Sequence, residues 1–354
     1  MATTQKNTIP SAATDSKEQR RLQMADIARL AGVSTATVSR ALSDSSLVND
    51  ETKTRIVELA RSLNYSINIG AQNLRLKQSR TVAVVVPYEN NTRQHLTDPF
   101  FLSMLGSIAD ALTERGFDML LSRIDAARMD SVAQIYDTGR ASGIILIGQW
   151  HHHHQLNQLA ARHMPIVVWG AQLPQQLYMT VGSDNVSGGF LATEHLLQSG
   201  CKEIAFFGDT QLPEVAQRYQ GYQNALTKYG IALEPKLVVQ ASFLEKGGKL
   251  AVDELCQRQI SFDGLFACSD LLAMTSINSL REKNYRVPED IKVVGYDDIE
   301  LARYFHPPLT TIRQSIVQAG NVLVETLLKL VENQDKEEPR LLATELVVRA
   351  SSQS

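Results

Sequence analysis

The stretch that decides the first part of the fold is Met24-Ala-Asp-Ile-Ala-Arg-Leu-Ala-Gly-Val-Ser-Thr-Ala-Thr-Val-Ser-Arg-Ala-Leu42. Its apolar residues Ile27, Leu30 and Ala31 recur at helical spacing, which predicts a helix near Gln23–Ala31. Gly32 breaks the pattern and Val33 gives the turn an apolar plug. Ser34 is a good N-cap, because its hydroxyl can accept a backbone N–H at a helix start. A second helix is then expected over Thr35–Leu42, with Val38 and Leu42 one turn apart. Two helices across a short Gly-containing turn make a helix-turn-helix. The outer face of the second helix reads Thr35, Ala36, Thr37, Ser39 and Arg40. Short side chains let a backbone approach the floor of a DNA major groove. An arginine can fork onto guanine and a methyl group can meet thymine, while Ser and Thr hydroxyls more often hold phosphates.

A third helix is expected from Asn49, with Asp50 and Glu51 in its first turn, where the helix dipole favours carboxylates. Ile56, Leu59, Ala60 and Leu63 form its buried stripe. Charge separates this head from the rest of the chain. Lys17 to Arg80 holds 11 Lys/Arg against 6 Asp/Glu, whereas Thr81 to the end holds 23 against 31, within a 354-residue chain of net charge −3. A small basic head on an acidic body points to a polyanion partner for the head alone.

Met24 to Leu42 resembles the head of the lactose-repressor family of bacterial transcription regulators. Thr52 to Tyr65 resembles that family's third helix, with Tyr65 at its signature tyrosine. The resemblance implies that Met24, Ser34, Thr35, Ala36, Thr37, Ser39, Arg40 and Tyr65 meet a near-palindromic, double-stranded DNA operator. The basic segment Asn68 to Arg80 has no strand pattern. Asn68 could cap a short helix over Ala71 to Leu76, too short to be stable alone. By the resemblance it is a hinge helix, in which Leu74 wedges into the minor groove and kinks the DNA, with Asn68, Ala71 and Arg75 as further DNA contacts beside it.

Beyond Arg80, apolar strand-like runs alternate with helical patterns. The strands are expected at Thr81–Pro87, Asp118–Ile124, Gly143–Gly148, Pro165–Gly170, Ile204–Gly208, Leu237–Phe243, Gly264–Ser269 and Ile291–Tyr296. Helices are expected at Phe101–Arg115, Val186–Ser199, Gln217–Tyr229 and Leu271–Lys283. This alternation means parallel sheets with helices on both faces, and the number of units favours two doubly wound lobes around a ligand cleft. The fold class is therefore α/β: a three-helix helix-turn-helix head plus a two-lobed, doubly wound body. The body resembles the family's periplasmic-binding-protein-like effector domain in Pro99 to Gly106, in Gly182 to Asn185, and in Val293 to Asp298 followed by Pro307 to Ile312. The expected organisation is a disordered tail at 1–20, the head at 21–66, the hinge at 67–80 and the effector domain at 81–354. Its first lobe takes about 81–180 and 314–333, and its second about 181–313 and 341–352.

The effector set implied by that likeness is Phe100, Phe101, Trp169, Arg218, Phe243, Asp270 and Asp297. A guanidinium suits paired hydroxyls or a carboxylate, a carboxylate at a strand end can accept from two hydroxyls, and the aromatics would form walls. One departure stands out: many relatives carry Asp at the end of the strand that here reads Val167-Val-Trp-Gly170. The implied effector is a sugar or sugar derivative, and the implied assembly a homodimer, since the tail lacks leucine heptads.

Other classes fit less well. There is no G-x-x-x-x-G-K-[ST] loop, no G-x-S-x-G elbow and no H-E-x-x-H, so no enzyme is indicated. A transport solute-binding protein would share the body but not the head, and would carry a leader; Met1 to Glu18 has no apolar core. His151-His-His-His154 reads as a surface loop with adventitious metal affinity at most, and no metal or cofactor is expected. Cys201, Cys256 and Cys268 give no disulfide framework. No run of 18 apolar residues is present, so no membrane is expected and a bacterial cytoplasm fits best.

Overall fold

The computed structural model describes residues 22–63, 65, 79–88, 95–243, 246–332 and 338–353. The tail at 1–20 and the hinge positions Asn68, Ala71, Leu74 and Arg75 lie outside them. The chain divides into two units, Met1–Leu76 and Lys77–Ser354.

The first unit holds α1 (Met24–Ala31), α2 (Thr35–Leu42) and α3 (Asp50–Ser62). Each start and turn has a local cause. Gly32 ends α1 in the left-handed region. The Ser34 hydroxyl caps α2 by accepting from Thr37 N at 3.1 Å, and Asn49 caps α3 by accepting from Thr52 N at 2.8 Å. The core is Ile27, Ala28, Ala31, Val38, Ala41, Val48 and Ile56. Leu30, expected inside, is 56% exposed. The buried stripe of α1 runs through Ile27, Ala28 and Ala31, and Leu30 lies one position off it.

The second unit contains two sheets. The first has the order β11-β5-β4-β3-β1-β2, all parallel. Its strands are β1 (Thr81–Tyr88), β2 (Asp118–Asp125), β3 (Gly143–Ile147), β4 (Ile166–Trp169), β5 (Met179–Ser183) and β11 (Arg340–Leu342). Along β1 the side chains alternate between the two faces. Val82, Val84 and Val86 join one apolar cluster with helices α4 (Pro99–Glu114) and α12 (Ile316–Val331). Ala83 and Val85 join another with α5 (Ser131–Asp137) and α6 (His153–Ala160). Burial on both faces explains why β1 is a continuous apolar run.

The second sheet repeats the plan with order β12-β10-β9-β8-β6-β7. Its strands are β6 (Ile204–Phe207), β7 (Val238–Val239), β8 (Gly264–Ala267), β9 (Lys292–Asp297), β10 (Thr310–Gln314) and β12 (Thr344–Val347), the last antiparallel to β10. Helices α7 (Asn185–Gln198), α8 (Pro213–Lys228), α9 (Gly247–Gln257) and α10 (Asp270–Glu282) cover it, with short α11 (Leu301–Tyr304) after β9.

Several boundaries differ from expectation. β5 ends at Ser183 and still belongs to the first sheet, and Arg340–Leu342 adds a strand to its edge, so the chain crosses between sheets near 184, 315 and 343. β5 and β10 were not predicted from the pattern, because Met179-Thr-Val-Gly-Ser183 and Thr310-Thr-Ile-Arg-Gln314 are largely polar. Their hydroxyls are satisfied inside: Thr310 Oγ1 donates to Arg349 O at 2.8 Å. The expected strand Leu237–Phe243 shrinks to Val238–Val239: Leu237 closes a 3₁₀ turn begun at Pro235, and the strand ends before Gln240, whose side-chain amide is bonded to Thr210 N and the Thr210 hydroxyl. His153 and His154 are not loop residues but the first turn of α6, where His153 Nδ1 lies 2.9 Å from the Tyr178 hydroxyl.

Candidate effector cleft and DNA-binding face

In each sheet the strand order reverses between the first strand and the third, which creates a crevice outside the carboxyl ends of β1 and β3 and of β6 and β8. The segments after these strands line one cleft of about 780 Å³ measured out to its open mouth. From the first lobe come Asp98, Phe100 and Phe101 after β1, Gly148 and Trp150 after β3, and Trp169 at the end of β4. From the second come Leu212, Glu214, Val215 and Arg218 on α8 or just before it, Ser269 after β8, Asp297 at the end of β9, and Gln314 at the end of β10, with Phe243.

Arg218 reaches the cleft through an unusually close helix pair. A Cβ on Gly189 of α7 would lie 2.0 Å from Arg218 O, and one on Gly221 of α8 would lie 2.1 Å from Val186 O. Only glycine permits that approach. The buried guanidinium then donates from Nε to Asn185 Oδ1 at 2.9 Å and from Nη1 to Cys268 O, and it stacks 3.7 Å above the Tyr296 ring. Two fixed bonds and a flat ring hold its plane, which an ammonium could not match.

Asp297 sits on a turn with positive φ at both Asp297 (121°) and Asp298 (57°), a conformation that needs outside support. Arg313 Nε at 2.8 Å and Arg349 Nη2 at 2.6 Å grip the Asp298 carboxylate, and Ile299 N donates to Asp270 Oδ2 at 2.9 Å. The Asp297 carboxylate accepts from Gln314 Nε2 at 2.6 Å, and Gln314 Oε1 in turn accepts from Ser183 Oγ at 2.6 Å, which ties the two sheets together. Burial pushes the Asp297 carboxyl up to about 7; Arg218 opposes the rise and the Asp98 carboxylate adds to it. Burial also raises the Glu214 carboxyl.

Six of the seven expected effector residues line the cleft: Phe100, Phe101, Trp169, Arg218, Phe243 and Asp297. Asp270 does not. It is buried beneath the turn, held by Ile299 N and the Thr311 hydroxyl, beside Asp297, so burial and that neighbour raise its carboxyl well above the usual range. Ser269, the extended N-cap of α10, faces the cleft in its place, since the first helical residue turns inward. Arg218 lies in the second turn of α8 rather than at its start. Asp98, Trp150, Glu214, Ser269 and Gln314 are among the lining residues not expected from the sequence. Position after a strand end was the available signal for most of them. The Trp169-Gly170 departure has a physical partner: a Cβ at Gly170 would lie 2.6 Å from Gln149 Cγ, so the missing side chain makes room for buried Gln149.

In the head, Ser34, Thr35, Ala36 and Arg40 are exposed and Thr37 and Ser39 partly so. Arg40 makes no ion pair among the described residues. The Thr37 hydroxyl is 2.9 Å from that of Ser34. Met24 and Tyr65 pack against the head's core.

Residues 23–68 match the family model for bacterial regulatory proteins of the lacI family, and residues 193–352 match a periplasmic binding protein-like domain. The ribose operon repressor of Haemophilus influenzae is 32% identical, over 88% of this chain and 92% of the relative. A transcriptional repressor named PurR from Histophilus somni is 29% identical, over 92% of this chain and 97% of the relative. A solved transcriptional regulator CelR–cellobiose complex superposes with TM-score 0.71 at 30% identity, covering 94% of this chain and all of that one. No helix among the described residues is long and apolar enough to cross a membrane. The chain belongs to the lacI family of bacterial transcription regulators, proteins that bind DNA through a helix-turn-helix head, carry a periplasmic-binding-protein-like effector domain and are not enzymes.

Proposed function

We propose that this protein is a repressor of carbohydrate-utilisation genes whose operator affinity is changed by a neutral sugar held in the cleft. The observation that carries the effector class is the lining. Among the described residues the lining takes most of its aromatic rings from the first lobe and most of its hydrogen-bonding groups from the second, with the carboxyl groups of Asp98, Glu214 and Asp297 against the guanidinium of Arg218. Sugars offer an apolar face to a ring and hydroxyls to carboxylates and guanidinium. A phosphate or carboxylate on the ligand would meet three carboxyl groups and one guanidinium already committed to Asn185 Oδ1 and Cys268 O, and would be desolvated with little cationic compensation. The relative whose name refers to a ribose operon and the regulator solved with cellobiose support the same class.

On the DNA side, Ser34, Thr35, Ala36, Thr37, Ser39 and Arg40 read a major-groove half-site, with Met24 and Tyr65 seating the head. The hinge, with Asn68, Ala71 and Arg75 around Leu74, opens the minor groove between half-sites. Two copies act together on a near-palindromic operator in the bacterial cytoplasm. Effector binding favours one interlobe arrangement, and by linkage the operator and the effector alter each other's affinity by the same factor.

The test is selection of an operator from random duplexes, followed by titration over a range of salt. Operator affinity should fall steeply with salt, and one neutral sugar should shift it. Leu74→Ala should weaken specific binding more than non-specific binding. Equal losses on both would remove the hinge assignment, and no duplex enrichment would remove the repressor reading.

A further inference from the structure

Trp150 stands apart from the other aromatic residues of the cleft. It follows β3 and so belongs to the first lobe, yet its half-buried ring packs against the apolar cluster of the second lobe, formed by residues such as Leu212, Val215 and Phe206. Its backbone is left-handed, with φ 47°, unusual for a bulky residue and persistent only where the surroundings impose it. Those surroundings are specific. Gly148, at φ 96°, brings the chain back on itself so closely that a Cβ there would lie 2.9 Å from Trp150 Nε1. Gln149, fully buried, anchors the loop from below: its Oε1 accepts from Ala171 N and its Nε2 donates to the Tyr178 hydroxyl, both at 2.7 Å.

The second lobe answers from the start of α8. Glu214 and Arg218 flank the same opening, and Gln217 Nε2 donates across to Gln172 O of the first lobe at 3.2 Å. The Gln149 backbone N–H faces the Glu214 carboxylate.

We propose that Trp150 is an interlobe latch, a first-lobe wedge docked in the second lobe and held there with Gln217, which keeps the cleft closed by the chain's own contacts before any effector arrives. This goes beyond the reading of the effector as a sugar and does not depend on it. Opening the cleft withdraws an indole from an apolar surface and breaks the Gln217 bond, so effector binding acts on a closed arrangement that the free protein already populates.

The test uses the free, full-length protein. Trp150 and Trp169 are the only tryptophans, so Trp169→Phe leaves Trp150 as the sole emitter. Acrylamide should then quench it at least threefold less than a free tryptophan amide. Adding Gln217→Ala, or separately Gly148→Ala, should at least double the quenching constant while far-UV circular dichroism stays native. Quenching in the parent equal to that of the free amide would overturn the latch. So would an unchanged constant in both folded variants. Should either variant lose its fold, the parent's value still decides, together with small-angle scattering of the wild-type protein. The latch requires that scattering to fit the closed lobes without ligand, and scattering that fits separated lobes overturns it.

Discussion

The two lobes share one strand order and contribute different chemistry to the cleft. The first offers rings, Phe100, Phe101, Trp150 and Trp169, with Asp98 as its one charge among the described residues. The second offers Glu214, Arg218, Ser269, Asp297 and Gln314, with Phe243 as its one ring. The topology fixes where both sets stand, outside the carboxyl ends of strands at the order reversal. It does not fix what they are. Side chains after equivalent strands of the two sheets have diverged: most rings come from the first lobe, and most hydrogen-bonding groups come from the second, which sets them among the apolar Leu212, Val215, Leu271 and Ile299. A ligand with one greasy face and one hydroxylated face satisfies both.

That division can be broken from the polar side first. Arg218→Ala should cost at least about 100-fold in effector affinity, since Asn185 and the Cys268 carbonyl lose their donor along with the ligand. Calorimetric titration should show this, and a thermal melt should show a lower midpoint. Arg218→Lys should rescue little, because an ammonium cannot make the flat, forked contact.

Asp297→Asn should cost roughly 10–30-fold, the value of a charge-assisted hydrogen bond, and should also change the pH profile. The wild-type carboxyl, held at about 7 by burial and the nearby Asp98 against Arg218, loses its acceptor charge as pH falls below that value. Affinity for a neutral sugar should therefore drop from pH 8 to pH 6 in the wild type and stay flat in Asp297→Asn. The folded chain keeps a proton that the unfolded chain releases near 3.8. Without ligand, stability contributed by this group should accordingly decline as pH rises from about 4 to 7, which chemical denaturation across that range checks.

On the apolar side, Phe100→Ala or Trp169→Ala should each cost about tenfold, consistent with losing one ring face of roughly 1–1.5 kcal/mol, without altering the pH profile. Asp270→Asn sharpens the boundary of the polar wall. Asp270 supports the 297–299 turn but does not face the cleft, so this substitution should change affinity less than about threefold, well below Asp297→Asn.

The wall residues differed in how legible they were before the fold was known. Arg218, Asp297 and the aromatic set could be read because a family likeness located them. Asp98, Glu214 and Gln314 carried at most the signal of a place near a strand end. Each is an ordinary polar residue in sequence, and its value comes from the other lobe: Gln314 matters because Ser183 meets its carbonyl across the sheets. Asp270 and Ser269 show the same limit at a finer scale, since one residue of register at a helix start decides which lines the cleft. The head was read nearly whole, because caps such as Ser34 and Asn49 act within three residues. Leu30 was misplaced where only tertiary packing sets which of two neighbouring apolar residues goes in. The polar strand β10 escaped notice because its buried threonines are satisfied by partners some 40 residues away, such as Arg349 and Asp270.

The most direct test of the two-wall account is a fluorescence titration, because both tryptophans line the cleft. Neutral sugars and their phosphorylated counterparts are added in parallel. One neutral sugar should change the emission saturably, its phosphate should bind at least tenfold more weakly, and Arg218→Ala should abolish the response. Equal or tighter binding of the phosphorylated form would contradict the two-wall division.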